Sequence, residues 1–518
     1  MDNGKDNGQK VWKIRGNCFE EKIHNFWNNI HFHPTDAIED DWGRRILDQV
    51  SRDRAADYIR IYAMLEDVVG RDAHGKLTYQ FEETDRRLDY LVEKGFRLLI
   101  CFNFLPMAIA AKPECMSALA RYKGKRINTS QPADYGEWEE VCRVYTQHLL
   151  ERYGEENLRQ WYFHCWNEPD FPVYFMSDTD RADGMEKVIK EYCKLYDHFA
   201  KGVTSACRAV KIGGPSAALS NEFIRGFLTH VRGKSRLDSR QLDSRLDFLS
   251  VHTYGTFPAN LEKGELVGVE NTYKRVVELK KLAQDCGFTD LEMIVDEWGL
   301  STEGFTNASQ CPSLEFRNTE LFASAYAHLI HTYTERKAPV SKQMICLSGQ
   351  HNLEKDFHGY RSFFTLSGFP KPIYNAYVMA AKLGDRLLSG HGFDPESEIG
   401  VFPTAVNDGR IAIMVYRFHP DQKKTVSARH IRLEVEELYG NYRICHYRLD
   451  HENANSYTAW KERGSKPHSS QIEREEILEA GRLKSWYPEE IRTLNGKWQM
   501  DLVLPANAVS LLELTPAK

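Results

Sequence analysis

Short apolar runs alternate with amphipathic stretches from about residue 25 to residue 385, and this alternation constrains the fold more than any other feature. The apolar runs are rich in Val, Ile, Phe and Tyr, which favour strands. Eight strands are predicted, at residues 26–32, 57–65, 97–104, 160–167, 210–215, 247–254, 291–298 and 342–348. Helical patterns lie between them, at residues 41–56, 82–94, 135–153, 181–209, 272–286 and 315–335. This order predicts an α/β fold, a (β/α)8 TIM barrel over residues 25–388.

An open doubly wound sheet is the alternative to a closed barrel. No GxGxxG follows the first predicted strand, so dinucleotide binding has no support from the sequence. After about residue 390 the helical patterns give way to short β-rich runs separated by turn residues, at 399–403, 410–418, 424–435, 441–449, 499–504 and 510–514. We therefore predict an additional C-terminal β-sandwich domain over residues 389–518, with a helix at 471–481. Residues 11–14 are strand-like, and we expect the N-terminal segment 1–24 to join the sandwich.

The composition limits the kinds of partner. Of the 518 residues, 42% are hydrophobic, which is enough for a large core and more than one domain. The net charge is −6 with both signs mixed along the chain, so the sequence indicates neither nucleic acid nor an anionic membrane as a partner. No run approaches 18 apolar residues, and no membrane span is predicted.

The cysteines bear on location and on metals. There are 11, an odd number, without a CxxC pair or a zinc-like Cys/His cluster. At least one thiol therefore lacks an intramolecular disulfide partner, which favours a cytoplasmic location; a periplasmic or secreted location follows if a signal peptide has been removed. We expect no cofactor and no metal.

Two glutamates end predicted strands and carry the chemical argument. Glu168 ends the fourth strand and Glu297 ends the seventh. A carboxylate after a barrel strand lies at the face where barrel enzymes keep their active sites. Glycoside hydrolysis needs two carboxyl groups, a proton donor and a second group near the anomeric carbon. One such glutamate alone is more often a solvated strand end, but the pair predicts a glycosidase site.

The neighbours of the two glutamates are candidates for substrate binding. Asn167 can hydrogen-bond a sugar hydroxyl only if the strand bulges or ends there, because adjacent side chains of a strand point to opposite faces. His252 and Tyr254 share a face and can donate to a sugar hydroxyl and to the nucleophile. A turn residue before proline and a packed His–Tyr pair are the structural alternatives.

Three further candidates are equally well explained by packing. Trp298 can form an aromatic wall, and Tyr62 and Asn103 can line the pocket. Arg60, in the second strand, should pair with a carboxylate if it is buried, and Asp296 is the candidate partner.

At these residues the chain resembles glycoside hydrolase family 39, which contains β-xylosidases and α-L-iduronidases. The pieces that carry the resemblance include Tyr58-Ile-Arg-Ile-Tyr62, Trp166-Asn-Glu-Pro169, Ile212-Gly-Gly-Pro215, His252-Thr-Tyr254, Asp296-Glu-Trp298 and Gly368-Phe-Pro-Lys-Pro372. The resemblance implies retention of configuration, Glu168 as acid/base, Glu297 as nucleophile, no metal, and a β-sandwich beside the barrel.

The chain also departs from the family pattern. Tyr62 stands where the xylosidases usually carry a histidine, and Asp170 resembles the iduronidase branch. Tyr254 stands where that branch has a lysine for the uronate carboxylate, and Arg361 is the other candidate cation. The absence of that lysine favours a neutral sugar over a uronic acid.

The predicted function is a retaining glycoside hydrolase that removes a terminal xylose- or arabinose-type sugar from oligo- or polysaccharide side chains by double displacement. An α-L-iduronidase-like activity and a β-glucosidase or β-galactosidase activity are alternatives within the family. A non-catalytic carbohydrate-binding protein and an unrelated barrel enzyme such as an aldolase are alternatives outside it. The predicted partner is an oligosaccharide or polysaccharide, with homo-oligomerisation left open.

Overall fold

The computed structural model describes residues 10–33, 38, 40–122, 125–176, 181–237, 245–304, 306–348, 353–467, 469–493 and 495–517. In chain order the first strands are β1 (Lys10–Arg15), β2 (Phe19–Lys22), β3 (Asn29–His33), β4 (Tyr58–Tyr62), β5 (Val69–Arg71), β6 (Leu77–Tyr79), β7 (Arg97–Phe102), β8 (Met116–Tyr122), β9 (Lys125–Asn128), β10 (Tyr162–Cys165), β11 (Lys211–Ala217), β12 (Phe248–Thr256), β13 (Glu292–Ser301) and β14 (Lys342–Ser348). The helices of this part are α1 (Asp41–Arg52), α2 (Glu82–Glu93), α3 (Tyr135–Leu158), α4 (Met185–Ala206), α5 (Asn221–Leu237), α6 (Pro258–Glu262), α7 (Glu270–Asp285), α8 (Glu320–Glu335) and α9 (Pro372–Ala380). The later elements are β15 (Arg386–Leu388), β16 (Gly392–Asp394), β17 (Ile399–Ala405), β18 (Ile411–Arg417), β19 (Arg429–Glu436), β20 (Asn441–Leu449), α10 (Ser456–Glu462), α11 (Gln471–Ala480), β21 (Ser485–Arg492), β22 (Trp498–Leu504) and β23 (Ala508–Pro516).

Eight of these strands close into a parallel barrel in the order β3, β4, β7, β10, β11, β12, β13 and β14. Each corresponds to one of the eight predicted strands, and the predicted TIM barrel is confirmed. All five residues of β4 are buried, as expected for a parallel strand covered by helices on its outer face. The hairpins β5–β6 and β8–β9 lie outside the barrel sheet.

Two further sheets form the predicted β-sandwich, which is also confirmed. One has the order β1, β19, β22, and the other has the order β2, β15, β17, β18, β23, β20, β21, with β16 paired to β17. Buried aliphatic side chains from both sheets form one core, among them Ile14, Val401, Ile413, Leu433 and Leu502. The helix predicted at 471–481 is α11, which begins with a capping box between Ser470 and Glu473.

The N-terminal strands pair with strands that come after the barrel in the sequence. Strand β1 runs parallel to β19, with Lys10 opposite Ile431, and β2 is antiparallel to β15. The division of the chain at residues 24 and 388 stays a prediction.

Helix α8 packs against the larger sheet through two histidines. The Nδ1 atoms of His328 and His331 each lie 3.0 Å from the hydroxyl oxygen of Tyr416 in β18. Burial lowers the pKa of His328 to about 4 and the pKa of His331 to about 3. Both rings are therefore neutral at pH 7. None of the helices in the described part of the chain has the length and apolar character that crossing a membrane requires.

Candidate active site

Glu297 lies in β13 and is held by three donors. Its Oε1 accepts from Arg60 Nη1 at 2.7 Å and lies 3.1 Å from His31 Nδ1, and its Oε2 accepts from the Tyr254 hydroxyl at 2.7 Å. Burial alone would raise the pKa of Glu297, but the nearby positive charge of His252, His31 and Arg60 holds that pKa well below its ordinary value. Glu297 is therefore ionised.

Glu168 follows the end of β10 in a turn with unusual backbone geometry. Strand β10 ends at Cys165, and the φ of Glu168 is +46°. The Glu168 amide donates to the carbonyl oxygen of Ser216 at 3.0 Å, which fixes this turn against β11. A non-glycine residue with positive φ is uncommon, and such residues cluster at functional sites.

The pKa of Glu168 shifts in the direction opposite to that of Glu297. Burial raises the pKa of Glu168, and a 2.8 Å hydrogen bond from His252 Nδ1 to Glu168 Oε1 only partly opposes this effect. Burial would lower the pKa of His252, but the charges of Glu297 and Asp296 raise it to about 10, so the imidazolium form is favoured. Two carboxyl groups in one site thus differ in their affinity for a proton.

The two glutamates converge on one point. An oxygen of Glu168, a ring nitrogen of His252 and an oxygen of Glu297 all lie within 4.8 Å of one another. Glycosidases that retain configuration keep their two carboxyl groups about 5–5.5 Å apart, whereas inverting enzymes keep them about 6.5–9.5 Å apart.

Arg60 contacts both of the segments that carry the two glutamates. Its side chain is fully buried, and Nη2 donates to Asn167 Oδ1 at 2.6 Å. The same nitrogen donates to Ser216 Oγ at 3.1 Å, and Nε lies 3.1 Å from Asp296 Oδ2. The predicted Arg60–Asp296 pair is confirmed. A buried cation with this many acceptors is paired and hydrogen-bonded, which offsets the cost of its desolvation.

A bulge in β13 explains how Asp296 and Glu297, adjacent in sequence, both reach Arg60. The pairing of β13 with β14 shifts register between Val295 and Trp298, and its pairing with β12 shifts at the same level. In a regular strand these two side chains would point to opposite faces. A bulge redirects one of them, and bulges are frequent next to active sites.

A cavity of about 210 Å³ opens above the two glutamates. It lies at the carboxyl ends of the barrel strands, where barrel enzymes bind their substrates. Its lining comprises Leu119, Glu168, Phe171, Val173, Tyr174, Ala218, Leu219, Tyr254, Phe257, Glu297, Thr302, Glu303, Gly304 and Arg361.

The structure places the eight predicted site residues at different depths. Glu168, Glu297 and Tyr254 line the cavity. Asn167 and His252 lie behind them. Asn167 accepts a hydrogen bond from Arg60, and His252 is hydrogen-bonded to Glu168.

Tyr62 and Asn103 are also buried and do not line the cavity. The Tyr62 ring lies 5.4 Å from the ring of His31, centroid to centroid. Asn103 is completely buried, and its amide atoms have no hydrogen-bond partner among the described residues. Buried polar groups of this kind are rare and call for a partner.

Trp298 does not line this cavity; of the two roles considered for it, an aromatic wall and core packing, its surroundings correspond to packing. Its side chain is completely buried and packs against α8, with its ring 5.9 Å from that of Tyr326. Trp298 pairs with Thr253, which comes between His252 and Tyr254 in β12. Because neighbouring side chains of a strand point to opposite faces, Thr253 and Trp298 share the outward face.

Three residues near the glutamates were not predicted, or were predicted for another reason. His31 and Ser216 contact Glu297 and Arg60, but nothing in the local sequence marks them. Arg361, considered only as a uronate partner, lines the cavity and donates from Nη1 to the Tyr254 hydroxyl at 2.5 Å.

Asp170 accepts from the backbone amides of the loop after β11 and so has a local structural role.

Within the described ranges, two groups of side chains could hold a metal ion: His31, Glu297 and Cys346, and Glu168, His252 and Glu297. Both groups share Glu297, whose Oε1 already accepts from the Arg60 guanidinium at 2.7 Å. A metal ion would face that fixed positive charge, and these side chains fit a metal poorly. The donors suit proton transfer and nucleophilic attack better.

A closed barrel with two carboxyl groups at the carboxyl ends of its strands defines the class of two-carboxylate barrel glycosidases. The family model described as "Glycosyl hydrolases family 39" matches residues 11–491. The chain belongs to glycoside hydrolase family 39 and is a glycosidase.

Two relatives are similar over most of their length. A "Beta-xylosidase" of Caldicellulosiruptor saccharolyticus is 26% identical over 527 residues, which cover 97% of this chain and 98% of the relative. A "Beta-xylosidase" of Geobacillus stearothermophilus is 26% identical over 473 residues, which cover 88% of this chain and 86% of the relative. The solved structure of a monomeric beta-xylosidase from Caulobacter crescentus CB15 superposes with a TM-score of 0.80 at 21% identity, covering 98% of this chain and 100% of that one, and shows the shared fold.

Proposed function

We propose that the protein is a retaining glycosidase in which Glu168 is the acid/base and Glu297 is the nucleophile. The observation that carries this proposal is the short separation of two carboxyl groups whose pKa values are shifted in opposite directions. A protonated carboxyl group beside an ionised one is the starting state that double displacement requires.

In the first step the ionised Glu297 attacks the anomeric carbon, and Glu168 transfers its proton to the departing glycosidic oxygen. The bond from carbon to that oxygen breaks, and a glycosyl ester forms on Glu297. In the second step Glu168 removes a proton from water, which attacks the same carbon and releases Glu297 as a carboxylate. Tyr254 stabilises this returning charge through its hydrogen bond to Glu297.

For the sugar we propose a terminal neutral pentose of the xylose or arabinose type. The two relatives described above are named as β-xylosidases, which supports this choice. Oligo- and polysaccharide side chains remain the sequence-based prediction for the rest of the substrate.

Azide rescue of the two alanine variants tests the roles directly. With an aryl pentoside, Glu168→Ala should form the ester but hydrolyse it slowly, and azide should restore turnover with a product of retained configuration. In Glu297→Ala azide should occupy the space of the nucleophile and give a product of inverted configuration. The surface variant Glu475→Gln is the matched control and should behave as wild type.

The outcomes are distinct in a proton NMR spectrum of the products. Retained azide product from Glu297→Ala, or near wild-type hydrolysis in either variant, contradicts the assignment. Binding of every glycoside in a panel without turnover by the wild type would favour a non-catalytic binding protein.

A uronic acid sugar is a second candidate because of Arg361. Its guanidinium lies in the cavity beside Glu168 and Glu297, and its Nε is buried without a hydrogen-bond partner in the described part of the chain. A fixed guanidinium recognises a carboxylate well. Aryl xylosides, arabinosides and iduronides compared at one pH decide between the candidates: faster hydrolysis of the iduronide, lost in Arg361→Met, would support the second.

A further inference from the structure

The cavity above the glutamates has two chemically different sides. One side carries four large apolar side chains that remain substantially exposed: Leu119 (52%), Phe171 (39%), Leu219 (50%) and Phe257 (48%). The opposite side carries Thr302, Glu303 and Arg361. Isolated exposed apolar residues are ordinary, but several that line one cavity mark a binding surface.

The division follows the order of the barrel strands. The apolar residues come from the segments after β7, β10, β11 and β12, which are consecutive neighbours in the barrel. The polar residues come from the segments after β13 and β14. Glu168 follows β10 and therefore lies among the apolar segments, whereas Glu297 lies in β13 on the polar side.

The backbone that carries the apolar residues is held by hydrogen bonds. The Asp170 carboxylate accepts from the amides of Ala218, Leu219 and Ser220 at 2.9, 2.8 and 2.9 Å. The Ser117 hydroxyl donates to the carbonyl oxygen of Val173 at 2.7 Å.

Arg181 supports the same wall from behind. Its Nη2 donates to the carbonyl oxygen of Pro169 at 2.8 Å, and its Nη1 donates to that of Asp170 at 3.1 Å. These bonds pin the segment between Glu168 and Phe171. The apolar side chains thus project from a fixed framework, which lowers the entropy cost of binding a ligand against them.

We propose that the leaving group of the natural substrate is a hydrophobic aglycone, an alkyl or aryl alcohol, that packs on this apolar wall. The proposal rests on the roles proposed above for Glu168 and Glu297. The acid must face the glycosidic oxygen, so the leaving group lies on the side of Glu168 and the sugar lies on the side of Glu297. The side of Glu168 is the apolar one.

A second sugar suits this wall less well. Its hydroxyl groups would lose water against Leu119 and Leu219, and an unpaired buried hydroxyl costs free energy. Leu119 and Leu219 also lack the flat face on which sugar rings stack, which leaves only Phe171 and Phe257 of the four apolar side chains for such a contact. An alkyl or aryl group gains free energy from burial against the same side chains.

A homologous series of alkyl glycosides tests the proposal. The sugar is the one that the aryl glycoside panel selects, and the aglycones are methanol, butanol and hexanol, whose leaving abilities are similar. We expect kcat/KM to rise about fourfold for each methylene that the wall covers. The hexyl glycoside should also be hydrolysed faster than the disaccharide with the same terminal sugar and linkage.

Two variants localise the effect. Leu219→Ser and Phe257→Ser should each lower the ratio of kcat/KM for the hexyl glycoside to that for the methyl glycoside by about fivefold, because each removes roughly half of an apolar side chain's burial. Ile472→Ser, in the exposed part of α11, is the matched control and should leave the ratio unchanged. The inhibition constants of the hexyl and methyl thioglycosides, measured with each variant, give the corresponding ratio without catalysis.

If kcat/KM did not change along the alkyl series, or if the disaccharide were hydrolysed faster than the hexyl glycoside, the proposal would be overturned. The glycosidase assignment would remain intact. Failure to hydrolyse any glycoside would instead overturn the proposed function. Analytical sedimentation at the assay concentration tests whether a second copy of the chain occupies the wall instead. A dimer that dissociates in Leu219→Ser, with no change in the ratio of kcat/KM for the hexyl and methyl glycosides, would show that it does.

Discussion

Replacing Tyr254 by phenylalanine should slow the second half of the reaction more than the first. The Tyr254 hydroxyl donates to Glu297 Oε2 at 2.7 Å, and this bond matters most when the glycosyl ester breaks and charge returns to Glu297. A hydrogen bond to a charged group contributes about 1.5–3 kcal/mol. Since about 1.4 kcal/mol corresponds to a tenfold change in rate, the rate of ester hydrolysis should fall about 10- to 150-fold.

Rapid-mixing kinetics on an aryl glycoside measures the two halves separately. The phenol should be released in a burst that is larger in Tyr254→Phe than in the wild type, followed by a slower steady state. KM should fall with kcat because the ester accumulates. Tyr273→Phe is the matched control, since its hydroxyl reaches only the carbonyl oxygen of Arg336, at 3.4 Å near the surface.

The reasoning fails if Tyr254→Phe loses less than about threefold in the steady-state rate. It also fails if the rate falls without a burst, because the lost bond would then act before the ester forms. The thermal midpoint of the variant separates both outcomes from simple misfolding, since Tyr254 also accepts a hydrogen bond from Arg361.

Three further predictions concern stability. The pKa values of His328 and His331 are lowered on folding, so the unfolded chain binds more protons below pH 6.5, and stability should fall by about 1.4 kcal/mol per pH unit for each ring between pH 6.5 and about 4. Calorimetry at pH 7 and 5 should show a smaller loss in His328→Gln than in the surface variant His74→Gln. Asp170→Asn should lower the thermal midpoint, because an amide cannot replace a charge that accepts three backbone bonds, each worth about 1.5–3 kcal/mol. Asn103→Leu should keep or raise the midpoint, because the buried amide has no hydrogen-bond partner among the described residues to lose.

Each of these three has an outcome that contradicts it. Equal losses in His328→Gln and His74→Gln at pH 5 would show that the buried rings do not take up the protons. An unchanged midpoint in Asp170→Asn would show that the loop after β11 does not depend on the charge. A lowered midpoint in Asn103→Leu would show that the buried amide contributes to stability.

The barrel was predictable because its strands are local signals. Strand β14 was predicted at both ends, and β4 and β7 were placed within a few residues, since buried parallel strands are short apolar runs between turn residues. Glu168 follows the end of β10 as predicted, whereas Glu297 lies within β13, which continues to Ser301. Both line the cavity at the carboxyl ends of the strands.

The parts that sequence reasoning missed depend on contacts between distant segments. The bulge in β13 that brings Asp296 and Glu297 to the same side has no mark in the sequence. Trp298 was a candidate for the cavity wall, but regular alternation after Glu297 turns it to the outward face. His31 and Ser216 contact the site only because β3 and β11 lie beside it in the closed barrel. Strand β21 was not predicted, since its run of charged and aromatic residues lacks the usual alternation.

The parallel pairing of β1 with β19 has a consequence for biosynthesis. During translation β1 leaves the ribosome before any part of the barrel, yet the residue opposite Lys10 is Ile431, near the far end of the chain. An unpaired strand edge must therefore persist while the whole barrel is made, and such edges invite association with other nascent chains. Because β1 stays unpaired until β19 has been made, the chain is expected to depend on chaperones more than an isolated barrel would.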